Sequence, residues 1–421
     1  MQMIGRRPLL AGLAGTGLAA SPAPSRAQGN AARTTIRIGV LADFSGPYRD
    51  TSGPTSTACA QQAVEDLGLA ARGINVEVIQ ADHQNRPDAA LALARRWFDQ
   101  DGVDMVCEVN NSAIALAVAG LAREKDKVQL TSGAGSSVIT GEQCSSHTIH
   151  WSYDTWMFAN VVGQATVRNG GDSWFFISAD YAFGHQVERD TTRFIQQAGG
   201  RVLGQARYPF PGTTDFSSYL LQAQASRAKI IGLASAAADT VNCIKQVNCI
   251  KQAHEFGIMR RGQKLACLNM FITDIHAIGL EAAQGLTLCE VFYWDLNDRT
   301  RAFLNRVKPK VGTNWPNQEH AGTYSAVLHY LKAVADLGVP AAKASGLAVV
   351  NRMKAMPTDD DCLGAGRVRE DGRKIHAAYL FQVKSPAESR GPWDYYKPVS
   401  TVGAEEAFRP LSEGGCPLVR G

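Results

Sequence analysis

Two polar loops carry the residue types best suited to holding a small anion. Asn110-Asn111-Ser112 follows an apolar run at 103–109 and opens a helical pattern at 112–125. Its amides and hydroxyl join the unpaired first-turn N–H groups of a helix, which together make a cradle for negative charge. Taken alone, Ser112 reads equally as an ordinary helix cap. Thr131-Ser132-Gly133-Ala134-Gly135-Ser136-Ser137 repeats the arrangement after the apolar run at 128–131. The glycines let backbone N–H groups approach a ligand, and the hydroxyls can donate or accept. Two neighbouring loops of this kind suit a carboxylate. Gly133-x-Gly135 lacks the third glycine of a dinucleotide fingerprint, since residue 138 is Val, and NAD is not implied.

Other segments offer weaker signals. In Asp180-Tyr181-Ala182-Phe183-Gly184, Tyr181 can supply an aromatic wall and a hydroxyl. Asp239 reads as the cap of a following helix. Phe271-Ile272-Thr273-Asp274 and Phe292-Tyr293-Trp294-Asp295 are aromatic segments at strand ends, where rings line pockets or fill cores. Cys144-x2-His147-x2-His150 lacks a fourth ligand, and zinc is not expected. The sequence contains no Gly-x-Ser-x-Gly elbow, P-loop or His-Glu-x-x-His. No catalytic set is assembled, so the reading is a non-enzyme with neither cofactor nor metal.

These loops need elements to hold them. Apolar runs at 36–41, 76–79, 103–109 and 128–131 read as strands, with helices at 57–67, from Pro87, and at 112–125. The series restarts with strands at 174–177, 201–205, 230–233, 264–268 and 286–291, and helices at 186–197, 216–225 and 239–256. Strands alternating with helices imply right-handed crossovers and parallel sheets. Two such series predict an α/β protein of two doubly wound parallel-sheet lobes. Ligands bind outside the carboxyl ends of such strands, and two facing lobes create a cleft. Within the 239–256 helix, Val241-Asn242-Cys243-Ile244-Lys245-Gln246 recurs unchanged as Val247-Asn248-Cys249-Ile250-Lys251-Gln252. Six added residues lengthen a helix by roughly 9 Å. Cys243 and Cys249 then face different sides and are not expected to share a metal.

Residues 1–27 are expected to be an export leader. Arg6-Arg7 forms a positive start, 8–20 is Gly- and Ala-rich, and Ser25-Arg26-Ala27 supplies a small–x–small cleavage site. The apolar stretch falls short of the ~20 residues that span a bilayer. The paired arginines point to the twin-arginine route. The chain has 421 residues, 45% of them apolar, long enough for two domains after the leader. Its charge of +4 includes Arg6, Arg7 and Arg26 of the leader and gives no argument for nucleic acid or an anionic membrane. Nine cysteines cannot all pair within the chain. Cys107, Cys267 and Cys289 sit in apolar runs as small hydrophobes. Cys144 and Cys416 lie in polar, loop-like sequence and are the expected bridge.

Ile38-Gly39-Val40 with Ser45-Gly46-Pro47, the 82–87 segment, Asn111-Ser112, the 132–137 loop, Asp180-Tyr181-x-Phe183-Gly184, Thr214-Asp215-Phe216 and Asp239-Thr240 recur in a telling order. Together they resemble the type I periplasmic solute-binding proteins of ABC importers, the leucine/isoleucine/valine-binding group. Ala321-Gly322-Thr323-Tyr324 and Arg369-Glu370-Asp371-Gly372 extend the likeness. The resemblance implies two lobes joined by a three-segment hinge and closing on a ligand. Lobe I would be 34–153 with 293–374, and lobe II 154–292 with 375–390. A C-terminal extension, 391–421, would pack back through Tyr395-Tyr396 and Cys416. Carboxylate contacts are implied at Asn111, Ser112, Ala134 and Ser136, with Tyr181 from the second lobe.

Amino-acid binders of this group carry an acid near residue 270 for the ligand ammonium. Here the neighbourhood is Leu268-Asn269-Met270-Phe271, and the first acid is Asp274. An unpaired buried ammonium is costly, so the departure favours an aromatic or other organic acid, with Phe271 and Tyr293 stacking on a ring. For a branched-chain amino acid, Asp274 becomes the candidate ammonium partner. The implied partners are a small-molecule ligand and an inner-membrane ABC permease with separate ATPase subunits. No nucleic acid is implied, and a periplasmic monomer is expected. A ligand-sensing receptor subunit and an exported hydrolase using Ser112 or Ser136 are the alternative readings.

Overall fold

The computed structural model describes residues 35–252 and 263–419, without the side chains of 246–252. The leader, the end of the 239–256 helix and the side chain of Cys249 lie outside what is described. Strands β1 (Thr35–Ala42), β2 (Asn75–Asp82), β3 (Met105–Glu108), β4 (Val128–Thr131) and β5 (Thr148–His150) form one parallel sheet ordered β2-β1-β3-β4-β5. Every residue of β3 and β4 is buried, as a sheet covered on both faces requires. Strands β6 (Ser173–Ala179), β7 (Arg201–Tyr208), β8 (Ile230–Ala234) and β9 (Lys264–Cys267) form a second parallel sheet ordered β7-β6-β8-β9. The two sheets wind alike, the first strand of each lying between its second and third.

One expected strand lands elsewhere. β10 (Thr287–Glu290) does not extend the second parallel sheet. A hairpin of β11 (Arg367–Val368) and β12 (Lys374–Ile375) precedes β13 (Ala378–Val383) and β14 (Tyr396–Val402). β10 pairs antiparallel with β13, and β13 with β14. The partner of β10 therefore lies about ninety residues downstream, beyond the reach of local patterning. In between, the chain returns to the first lobe, where the helix Gln318–Leu337 packs on the helix Gly53–Leu67.

The segments running between the lobes are stitched together by buried polar groups. Arg373 donates to the carbonyls of Ser152 and Tyr153, and His376 Nε2 donates to the Ser152 carbonyl at 2.9 Å. The Val291 amide donates to Gln318 Oε1, also at 2.9 Å. After β14 the tail crosses back to the first lobe. There Arg409 donates to the Ser137 carbonyl at 2.9 Å and Cys416 forms a disulfide with Cys144, while Glu413 pairs with Arg193 of the second lobe. Cys59, Cys107, Cys243, Cys267, Cys289 and Cys362 are free and buried. Among the described residues, no helix is long and apolar enough to cross a membrane.

Candidate ligand-binding site

The carboxyl ends of both parallel sheets contribute to one narrow cavity of about 10 Å3. Asn110 follows β3, Gly133 and Gly135 follow β4, and Tyr181 and Phe183 follow β6. Ala236 and Ala237 follow β8, and Asn269 and Phe271 follow β9. Tyr48, Thr51, Ser112, Tyr153 and Glu319 complete the wall.

In the first lobe the turn after β3 is built against conformational preference. Glu108 and Val109 have φ of 76° and 51°, and the left-handed region costs a β-branched residue on the order of 1–3 kcal/mol. The turn brings Asn110 to the cavity, where its Oδ1 accepts from His83 Nε2 at 2.8 Å. Asn111 is occupied elsewhere. Its Oδ1 caps the helix Ser112–Glu124 by accepting from the Ala113 and Ile114 amides at 2.9 and 3.2 Å, and its Nδ2 donates to Asn85. The cap is thus Asn111 rather than Ser112, which leaves the Ser112 hydroxyl for the cavity. Ser112 Oγ accepts from the Ser136 amide at 3.2 Å, so its own proton can turn toward a ligand. Ser136 lies off the cavity wall, and its Oγ caps the short turn Ser137–Thr140. Ala134 is buried between the two lining glycines, and its carbonyl accepts from His150 Nε2 at 2.6 Å.

Glu319 is the charged group on the wall that the sequence reading did not single out. It occupies the first turn of the Gln318 helix, whose cap Asn317 accepts from the Glu319 and His320 amides at 2.8 and 3.0 Å. Its carboxyl is 2% exposed, and Oε2 accepts from the Tyr153 hydroxyl at 3.1 Å. Burial, reinforced by neighbouring Glu108, holds this carboxyl well above the usual carboxylate range. Gly133 makes room for the pair. A methyl there would collide with Glu319 Oε1 and lie 2.5 Å from Asn110 Cβ and 2.8 Å from Glu108 Oε1.

The second lobe supplies rings and the closing contact. Tyr181 hydrogen-bonds hydroxyl to hydroxyl with Tyr48 of the first lobe and stacks on Phe210 with centroids 4.3 Å apart. Burial raises both phenols, which therefore stay protonated at neutral pH. Phe183 approaches so closely that a methyl on Gly135 would lie 2.7 Å from its ring. Phe271 meets Tyr153 edge-on at 5.3 Å. Replacing Tyr181 with Phe removes the inter-lobe hydroxyl contact, worth about 1 kcal/mol. Ligand affinity should fall about five-fold, mostly as faster release, in stopped-flow displacement.

The remaining singled-out residues sit apart from the cavity. Asp274 is buried and turned back onto its own backbone, accepting from the Phe271 amide at 2.9 Å, and burial pushes its carboxyl up to about 7. Tyr293 lies in an aromatic cluster with Phe381 and Tyr396, its hydroxyl 3.3 Å from Asp394. Asp239 falls in the first turn of the helix Ala237–Gln252 rather than at its cap. Of the Cys144, His147 and His150 trio, Cys144 is in the disulfide, His147 bonds Asp126 at 2.8 Å, and His150 holds the Ala134 carbonyl.

The comparisons with known proteins agree with this geometry. No curated protein matches the chain. A periplasmic binding protein from Burkholderia mallei is 43% identical, with 92% of this chain and 100% of that one covered at a TM-score of 0.85. A branched-chain amino acid ABC transporter periplasmic ligand-binding protein from Burkholderia xenovorans is 38% identical, covering 91% and 99% at 0.78. A solute-binding protein of an ABC transporter from Rhodopseudomonas palustris shares the fold at 20% identity, covering 88% and 98% at 0.77. The periplasmic binding protein family model matches residues 35–391. With that match and the two-lobed fold, the chain belongs to the periplasmic binding protein family, whose members bind solutes rather than transform them.

Proposed function

We propose that the protein is the substrate-binding component of an ABC importer. It would capture a small carboxylate-bearing solute between its lobes and deliver it to an inner-membrane permease with separate ATPase subunits. The observation that carries this reading is the cavity at the strand ends. Ser112 and the helix N-terminus it belongs to face that cavity from one lobe, and Tyr181, Phe183 and Phe271 face it from the other. Helix N-termini and hydroxyls suit a carboxylate, and rings suit an apolar remainder. The 38% identical relative named for branched-chain amino acid transport supports the same class of solute.

In this reading residues 1–27 direct export by the twin-arginine route, and the mature protein works as a periplasmic monomer. Lobe I comprises 34–153 with 293–374, lobe II 154–292 with 375–390, and 391–421 forms the extension. Ligand selects the closed form, in which Tyr48 and Tyr181 meet, and that form docks on the permease.

A thermal-shift screen of amino acids, aromatic acids, aliphatic acids and amides tests the proposal. Ligand at ~100 times its dissociation constant adds about 2.7 kcal/mol of stability. Ser112→Ala should weaken binding about ten-fold, the loss of one hydrogen bond to a charged group. If no compound in the four classes stabilises the protein, the reading fails.

A further inference from the structure

The geometry points to His83 as a positioning residue for solute recognition. Its ring holds the Asn110 amide turned so that the NH2 group, and not the carbonyl, faces the cavity and donates to an oxygen of the solute. The inference rests on the binding-protein reading above and supplies a device behind its preference for a carboxylate. Asn110 lines the cavity, is 3% exposed, and its Nδ2 is buried with no partner among the described residues. Buried amide groups are almost always satisfied, so an unpartnered NH2 at a cavity wall describes what the cavity accepts. A donor of this kind suits an oxygen acceptor. Asn111, the neighbour that the sequence suggests for this role, is engaged instead by the helix cap and by Asn85.

Which side of an amide turns inward is set by its neighbours, and here two backbone donors decide it. The Asn85 amide donates to His83 Nδ1 at 3.0 Å, and a backbone N–H can only donate. Nδ1 is therefore the bare nitrogen of the ring. His83 is fully buried, and burial holds it below the ordinary histidine value against the pull of Asp43, Asp82 and Glu108. The ring is thus neutral at neutral pH, with its single proton on Nε2. Nε2 donates to Asn110 Oδ1 at 2.8 Å, and the Asp43 amide donates to the same oxygen at 3.2 Å. Two donors on Oδ1 leave Nδ2 directed away from them. His83 does not line the cavity and acts only through Asn110. The arrangement begins in the backbone, where Gln84 and Asn85 take φ of 52° and 55°, a region that non-glycine residues rarely adopt. That left-handed turn aims the Asn85 amide back at the ring two residues before it. It also sets Asn85 Oδ1 against Asn111 Nδ2 at 2.6 Å, so one loop orients both asparagines.

The test is calorimetric titration of the mature protein and three variants with L-leucine, 4-methylpentanoate, benzoate and 4-hydroxybenzoate. The variants separate the two ring contacts. In His83→Gln a side-chain NH2 replaces the Nε2 donor to Asn110. In His83→Asn a side-chain oxygen replaces the Nδ1 acceptor for the Asn85 amide, and Asn110 loses its ring donor. For each probe that binds, His83→Gln should stay within about three-fold of the wild type, whereas His83→Asn should lose about ten-fold as the donor to a charged oxygen is no longer held. Asn110→Asp turns a carboxylate oxygen toward the solute and should lose about 100-fold or more. Magnetic resonance of isotope-labelled histidine needs no probe. At neutral pH the wild-type His83 signal, identified by its absence from either His83 variant, should carry the proton on Nε2 alone. That spectrum and the Asn110→Asp titration stand even if one His83 variant fails to fold. A proton on Nδ1, wild-type affinity in His83→Asn or Asn110→Asp, or equal losses in the two His83 variants would overturn the assignment and leave the binding-protein reading intact. Binding of no probe by the wild type counts against both.

Discussion

Reduction of the Cys144–Cys416 bridge is expected to lower the thermal midpoint by about 5–10 °C, and the Cys144→Ser/Cys416→Ser double variant should reproduce the loss without reductant. The bridge closes a sequence separation of 272 residues. Chain-entropy arguments give about 5 kcal/mol for so long a loop, and measured bridges more often return about 2–4 kcal/mol. At this chain length each kcal/mol moves the midpoint by roughly 2 °C. Scanning calorimetry with and without reductant measures the effect. The six described free thiols are buried and held protonated by burial, so the reductant acts at the bridge. An unmoved midpoint would mean that Arg409, Glu413 and the packing of Phe408 hold the tail by themselves.

Asp154→Ala should cost about 4 kcal/mol in urea unfolding, a second large effect from a single carboxylate at the hinge. Asp154 is buried and lies 3.4 Å from Arg373 Nε, and it caps the following helix by accepting from the Met157 amide at 2.8 Å. Arg373 is itself fully buried, donating to the Ser152 and Tyr153 carbonyls and lying 4.2 Å over the Phe408 ring. Burial pulls its guanidinium down to about 10, and Asp154 opposes that shift. Removing one partner of a buried pair strands the other, typically at 3–5 kcal/mol, and the lost cap adds to it. Asp154→Asn retains a capping oxygen without the charge, so its loss should be smaller than that of Asp154→Ala. Equal losses in the two variants would assign the effect to charge alone.

The parallel sheets were legible because their strands are short apolar runs between amphipathic helices. Val128–Thr131 appears in the sequence with the bounds that the structure gives it, and Ile36 to Leu41 falls one residue short at each end. β5 was not legible, since Thr148-Ile149-His150 is three residues long with one apolar residue. The cavity wall was legible only in part. Ser112, Tyr181 and Phe271 follow strands directly, so local pattern reaches them. Tyr48 sits one residue past Ser45-Gly46-Pro47 and is recognisable only through its contact with Tyr181. Glu319 looks like any first-turn acid that complements a helix dipole. Only the packing of its helix against the first lobe carries it to Gly133. Asn111 shows the converse, because an amide at a helix start serves a cap as well as a ligand, and the choice depends on Asn85 across the loop.

The duplicated hexapeptide sits in a helix whose first residues touch the cavity. Ala236 and Ala237 touch the cavity, and Val241, Cys243 and Ile244 of the first copy are buried against the second lobe. The second copy extends the same helix away from those anchors, to Gln252. A length change there lies at the opposite end of the helix from Ala236 and Ala237. Slippage during replication can add or delete a six-residue copy there without changing the identity of any residue that lines the cavity.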